Sequence, residues 1–539
     1  MVFSSPAFIF VFLPITLFAF YVCGYFKSPV AAKVVLVLAS FVFYAWWSPY
    51  YLGLFILSGA LDASIGMYLS RPNGDQATRK LAMIGGILVN LSLLGYFKYA
   101  NFFLDNLEVI FGGNMTLGEI ILPLGISFFI FQKIAFLVDA HRGEAPDFTW
   151  LNYFMFMLFF PQLIAGPIVH HRQFMSQLTS RFGRHYHRNM AVGLFIFTVG
   201  MFKKTVLADG IAPIADGVFN AVAAGEVVSP ATAWTGALAY TFQLYFDFSA
   251  YSDMAVGLGR MVGIAFPINF NSPYKAASII EFWRRWHITL SHFLRDYLYK
   301  PLGGNRKGPA RRYINLGVVM LLGGLWHGAN WTFVIWGAMH GAMLITNHGW
   351  LAVRDRLGMA RMAETRIYRF VGVLVTFTCV MLAWVMFRAA DFDTALAMWR
   401  SMFGLGGASV LMSFGLMAQD TLAHVAAIQA VAADFLSGNV SDFNVFLTRM
   451  RFSLDLRTTR PSGLGPILLY LYAIIIFTLP NVYQLLESEK PAHLDPPITS
   501  IPPHHRWRMN WVWASASACL AAIAILNMSK ISPFLYFNF

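Results

Sequence analysis

Two histidines carry the chemistry this chain could do. His287 lies in "FWRRWHITLSHF" and His327 in "LLGGLWHGANW", 40 residues further on, each beside tryptophan and within or next to apolar sequence. An uncharged imidazole held away from water can take a proton from a hydroxyl or carry an acyl group itself. Ionisable groups inside membranes gather at working sites, but a helix-packing histidine is the plainer reading of either residue. Upstream, "QLYFDFSAYSDMAVGLG" (243–259) sets Asp247, Ser249, Tyr251, Ser252 and Asp253 in an apolar span. Carboxylates at such depth need partners: a histidine, an arginine or helix-end amides. They either orient a catalytic imidazole or tie helices together. His340, in "GAMHGAM", reads as an ordinary small-residue helix contact. Cys23, Cys379 and Cys519 lie far apart, with neither metal-ligand spacing nor a disulfide framework, and no Gly-rich phosphate loop is present.

The elements that must hold these residues are membrane helices. Of 539 residues 58% are hydrophobic and only 12% charged, against about 25% charged in a soluble protein. At about 20 residues per span the chain has room for some eleven transmembrane helices. Apolar segments run approximately over 5–26, 33–48, 50–69, 81–98, 119–138, 151–168, 190–208, 231–263 (one long helix or two pieces), 314–346 (two pieces), 367–388, 463–484 and 511–528. The first lacks a basic flank and a small-residue cleavage site, which makes it a retained helix. Bases in 27–33 and 71–80 place both loops in the cytoplasm and the N-terminus outside. Counting onward strands the basic 170–188 loop on the wrong side. "PQLIAGPIVHH", with Pro161 and Pro167, is therefore expected to be a broken, re-entrant piece. Residues 389–462 read as peripheral helices and loop, 487–510 as a polar Pro-rich connection, and no internal repeat is visible. The whole, 1–539, is a single membrane domain with its core motifs in 80–390.

The net charge of +13 fits cytoplasmic loops of a multi-pass protein rather than a nucleic-acid partner. Residues 281–312 hold eight bases against Glu281 and Asp296. Wound as one helix over 281–300, they put Trp283, Trp286, Leu290, Phe293 and Leu294 on one arc and the charges on the other. That helix lies at the cytoplasmic interface, its bases toward water or lipid phosphates, with His287 on the apolar arc and His292 on the charged one. The run 314–346 has 33 residues without a charge, too long for one span, so two elements meet at "GGLWHGANW". Gly323, Gly324, Gly328 and Asn330 suit a helix end, and His327 sits at that break, where backbone at depth must face protein or a cavity.

These motifs resemble the membrane-bound O-acyltransferase superfamily, and within it the bacterial alginate O-acetyltransferase branch. "LGYFKYANFF", "LPLGISFFIFQ", "PQLIAGPI" and "LAYTFQLYFDFSAYSDMAVGLG" fit in the same order over most of 1–390. The resemblance implies an all-α, polytopic membrane fold with re-entrant and interfacial helices around a central tunnel. It places the catalytic histidine at His327 and a second at His287, with Trp283, Trp286, Trp326, Asn330, Asp247 and Tyr251 as candidate substrate or tunnel-lining residues. It implies no bound metal or cofactor, and a donor such as acetyl-CoA or another acetyl thioester. Acetyl would cross a bacterial inner membrane to periplasmic acetyl-transfer proteins of a polysaccharide secretion system, alginate first, then cellulose or another exopolysaccharide. On residue physics alone the rivals are a transporter with an intramembrane His/Asp relay, which the missing repeat disfavours, and a non-catalytic scaffold.

Overall fold

The computed structural model describes residues 1–71, 75–113, 115, 117–145, 148–180, 186–405, 410–437, 465–493, 498–528 and 534–535. Its helices start where side chains cap them. Ser28, Ser48, Asp75, Ser229, Thr365 and Asn510 each accept a backbone N–H of the first turn, and Pro29, Pro49 and Pro230 follow their caps directly. Five helical stretches are long and apolar enough to cross a membrane: Phe8–Tyr25, Pro49–Leu69, Gln76–Phe111, Tyr186–Ala223 and Arg366–Arg388. Pro29–Ala45, Gly465–Thr478 and Trp511–Leu526 are shorter and equally apolar. Phe18, Leu57, Leu88, Phe370 and Leu471 stand exposed on these helices, as they can where lipid is the solvent.

The axis of the fold is Pro230–Met261, one unbroken helix about 48 Å long, buried continuously from Ala239 to Gly259. Beside it, the π-helical turn Lys203–Ala208 widens the helix and turns two consecutive lysines onto one neighbour. Lys203 Nζ lies 2.6 Å from Asp253, and Lys204 Nζ lies 2.8 Å from both Asp247 and Asp209. The Tyr483 hydroxyl donates to Asp253 and the Leu535 N–H to Asp247, each at 2.8 Å. Pairing and hydrogen bonds together offset the cost of burying these charges.

Three sequence expectations change. Residues 119–125 are not helical; the helix Ile126–His141 starts only after Gly125, at φ +72°, where a side chain would press on the Leu163 and Ile164 backbone. Segment 151–168 breaks into Trp150–Leu158, about 14 Å long, then Phe160–Leu163 and irregular backbone. It is buried from Met155 to Val169, so protein rather than lipid surrounds this broken piece. The Pro-rich connection folds inward: the His493 N–H donates to Phe266 O at 2.9 Å, beside the buried extended segment 264–271. Residues 494–497 of that connection, and 438–462 of the peripheral stretch after Phe392–Met402 and Val410–Leu436, lie outside the described residues.

Gly308–His327 and Trp331–Arg356 form a tight hairpin. A methyl on Gly337 would sit 2.3 Å from Met320 O, and one on Gly324 2.2 Å from Phe333 O. Both obstacles are backbone. Gly337→Ala is therefore expected to cost about 1–3 kcal/mol, read as a lower unfolding midpoint of the detergent-solubilised protein.

Candidate active site

His327 is the last residue of its helix, at the break expected from the glycines. Asn330 caps the next helix, accepting the Thr332 N–H at 3.0 Å and donating to Ala390 O at 3.1 Å. It shapes the turn and is a lining group of neither cavity described below. The His327 ring is 4% exposed, with ring centroids 4.9 Å from Trp326, 5.1 Å from Trp336 and 5.3 Å from Phe387.

A helix C-terminus inside a membrane leaves carbonyls that need donors. Here they come from the π-helical turn Gly95–Tyr99. Lys98 Nζ donates to Trp326 O at 2.5 Å, His327 O at 3.1 Å and Ser127 Oγ at 3.1 Å; the Tyr99 hydroxyl donates to Leu325 O at 2.9 Å. Lys98 was missed as a site residue. Its signal in the sequence is a lone charge inside a long apolar run.

His287 is inward, as expected, but not by helical periodicity. The single helix over 281–300 is replaced by Ile279–Trp283, a turn, Ile288–Leu294 and a π-helical turn Arg295–Tyr299. His287 itself is left-handed, at φ +42° and ψ +52°, a conformation that non-glycine residues hold only when their surroundings impose it. Asn269, fully buried, imposes it: its carbonyl accepts the Ile288 N–H at 3.0 Å, and its side chain accepts the Thr289 N–H at 3.3 Å and hydroxyl at 2.6 Å. The His287 and His327 rings lie 6.4 Å apart, with Trp326 against both.

The other candidates separate. Trp283 packs on Trp336 at 6.0 Å and His340 at 5.3 Å. Trp286 turns toward Phe270 and Trp384, each at 5.0 Å, away from His327. Asp247 belongs to the lysine network, and Tyr251 lies between Phe3 and Phe534.

Two cavities approach this centre from opposite ends of Gly308–His327. Toward its start, about 740 Å³ is lined by Trp283, Arg284, Arg295, Lys300, Arg306 and Arg312 among others, with no carboxylate. Burial alone would raise the nearby Asp296 carboxyl; bonds from Arg295 and Lys300 outweigh it and hold it down at about 2. Asp296 therefore stays ionised and balances Arg295 and Lys300, whereas Arg284, Arg306 and Arg312 make no ion pair among the described residues. Toward the end of the helix, a narrow space of about 70 Å³ is bounded by Lys98, Leu122–Ser127, Ile164, Trp326 and His327. The two share no lining residue; Trp283 and Trp336 bridge the distance between them.

A helical membrane protein with paired histidines between a roomy cationic cavity and a narrow one has the architecture of a membrane-embedded acyltransferase. Residues 129–388 match the model of the MBOAT, membrane-bound O-acyltransferase family. The chain is 38% identical over 570 residues to a peptidoglycan O-acetyltransferase of Helicobacter pylori, covering 100% of this chain and 98% of that protein. It is 45% identical over 414 residues to a probable alginate O-acetylase AlgI of Azotobacter vinelandii (75% and 79% covered), and 36% identical to that of Pseudomonas fluorescens over the full length of both. The chain belongs to the membrane-bound O-acyltransferase family.

Proposed function

We propose that this protein takes acetyl from a cytoplasmic thioester, acetyl-CoA or a close equivalent, and passes it across the bacterial inner membrane for O-acetylation of an exported glycan. The observation that carries the reading is that His327 edges the narrow cavity, while an aromatic bridge of two rings leads from it to the cationic one. A volume of about 740 Å³ lies in the range of small-molecule sites, and unpaired arginines suit the phosphates of a nucleotide thioester. The bases of 281–312 put that cavity in the cytoplasm, as the 71–80 loop puts the N-terminus in the periplasm.

In this mechanism His327 accepts the proton of an acceptor hydroxyl as its oxygen attacks the thioester carbonyl. The C–S bond breaks and the proton passes on to the departing thiolate. His287 orients the carbonyl or donates to its developing oxyanion. Trp326 and Trp336 keep water from the thioester. Alginate is the first choice of polymer. The alginate O-acetylases and the peptidoglycan O-acetyltransferase among the relatives both support an exported glycan as final acceptor, reached through periplasmic acetyl-transfer proteins.

The test is to supply acetyl-labelled thioester to the cytoplasmic face of vesicles holding the protein, its periplasmic partners and the polymer. Label on the polymer is expected. The donor KM should rise several-fold between 0.1 and 1 M salt, as the Debye length shrinks from about 10 to about 3 Å. Net movement of a solute without acetyl transfer would instead identify a transporter, and neither result a scaffold.

A further inference from the structure

The bridge between the cavities contains polar atoms that the proposed proton transfer does not use. His340 is fully buried, and neither ring nitrogen has a hydrogen-bond partner among the described residues. The same holds for the indole N–H groups of Trp283 and Trp336. Leaving such groups buried and unpaired costs about 1–3 kcal/mol each, so three in one cluster require an explanation. Their placement supplies one. Trp283 lines the cationic cavity. From it the rings run to His340 at 5.3 Å, from His340 to Trp336 at 4.7 Å, and from Trp336 to His327 at 5.1 Å. Phe282, at 6.2 Å, and Trp384, at 6.1 Å, close the sides of the His340 ring with carbon. The small-residue contact read from "GAMHGAM" is made by the glycines of that helix; the histidine lies against aromatic rings instead.

We infer that His340, with the Trp283 and Trp336 indoles, binds the amide-bearing arm of the thioester donor between the cationic cavity and His327. The inference rests on the donor reading above. Secondary amides present N–H donors and C=O acceptors along an otherwise apolar chain. A neutral imidazole offers one acceptor and one donor, and each indole one donor. That complement pairs with an amide, whereas a plain alkyl chain would leave every one of these groups unpaired. His340 is thus a positioning residue, which sets how deep the thioester reaches and which donors are accepted.

The test compares two acetyl thioesters in the full-length protein: acetyl-CoA, whose arm carries two amides, and the S-acetyl ester of 2-mercaptoethanol, which carries none. His340→Phe is expected to lower the ratio of their kcat/KM values about tenfold or more, through a raised KM for acetyl-CoA. His340→Gln, which keeps a donor and an acceptor, should restore much of the ratio. Trp283→Phe and Trp336→Phe should each lower it several-fold, and they decide the matter if His340→Phe does not accumulate. Equal losses on both donors, or an unchanged ratio, would overturn the inference. A wild-type protein that transfers acetyl from neither thioester would instead overturn the donor reading beneath it.

Discussion

His327→Ala is expected to reduce acetyl transfer by about 10²–10⁴-fold, the contribution of a positioned general base, while the protein remains inserted and folded. The ring sits at a helix end whose carbonyls are held by Lys98 and Tyr99, so its removal leaves the backbone hydrogen bonds in place. What is lost besides chemistry is contact with Trp326, Trp336 and Phe387. His327→Gln separates the two effects, because it fills more of the space yet cannot shuttle a proton at neutral pH. Equal loss in both variants, with unfolding midpoints near wild type, assigns the effect to proton transfer. Substantial transfer by either would remove His327 from the mechanism.

The second large effect is expected at a residue that touches no reacting atom. Lys98→Met keeps much of the volume and removes three hydrogen bonds, two of them to the carbonyls of Trp326 and His327. Bonds to charged groups are worth about 1.5–3 kcal/mol each, and the carbonyls left behind lie where water does not readily replace the ammonium. The end of the helix should shift to find other donors. A displacement of about 1 Å at a catalytic group can cost 10²-fold in rate, and a loss in kcat of about 10–100-fold is expected. The donor KM should change little, because the cationic cavity lies toward the other end of that helix. Lys98→Arg, which keeps the charge, should recover part of the rate. A raised donor KM with unchanged kcat would instead place Lys98 in donor binding.

The two histidines show how far local sequence carries. His327 was legible because chain length and glycine placement are local quantities: 33 uncharged residues exceed one span, and the glycines mark where the helix must end. His287 was legible as inward-facing, but the helical wheel assigned the wrong cause. Its left-handed turn is imposed by Asn269, 18 residues earlier, and no period within 281–300 encodes that contact. Asp247 and Asp253 announced a need for partners without naming them. Two consecutive lysines meet them only because a π-helical turn brings both onto one helix. Lys98 and Leu325–His327 are separated by over two hundred positions and become neighbours through helix packing alone.

The amino-acid sequence alone determined the solvent of this protein, the existence of its helices and the site of the break that carries His327. Each follows from hydrophobicity, chain length and backbone preference, which act over a few turns. Tertiary structure alone decided which buried charges pair, how the helix end is held, and that a ladder of aromatic rings with unpaired nitrogens joins two cavities. Those outcomes depend on which distant segments share a low-dielectric interior, where every polar group must find a partner and the nearest one is rarely near in sequence.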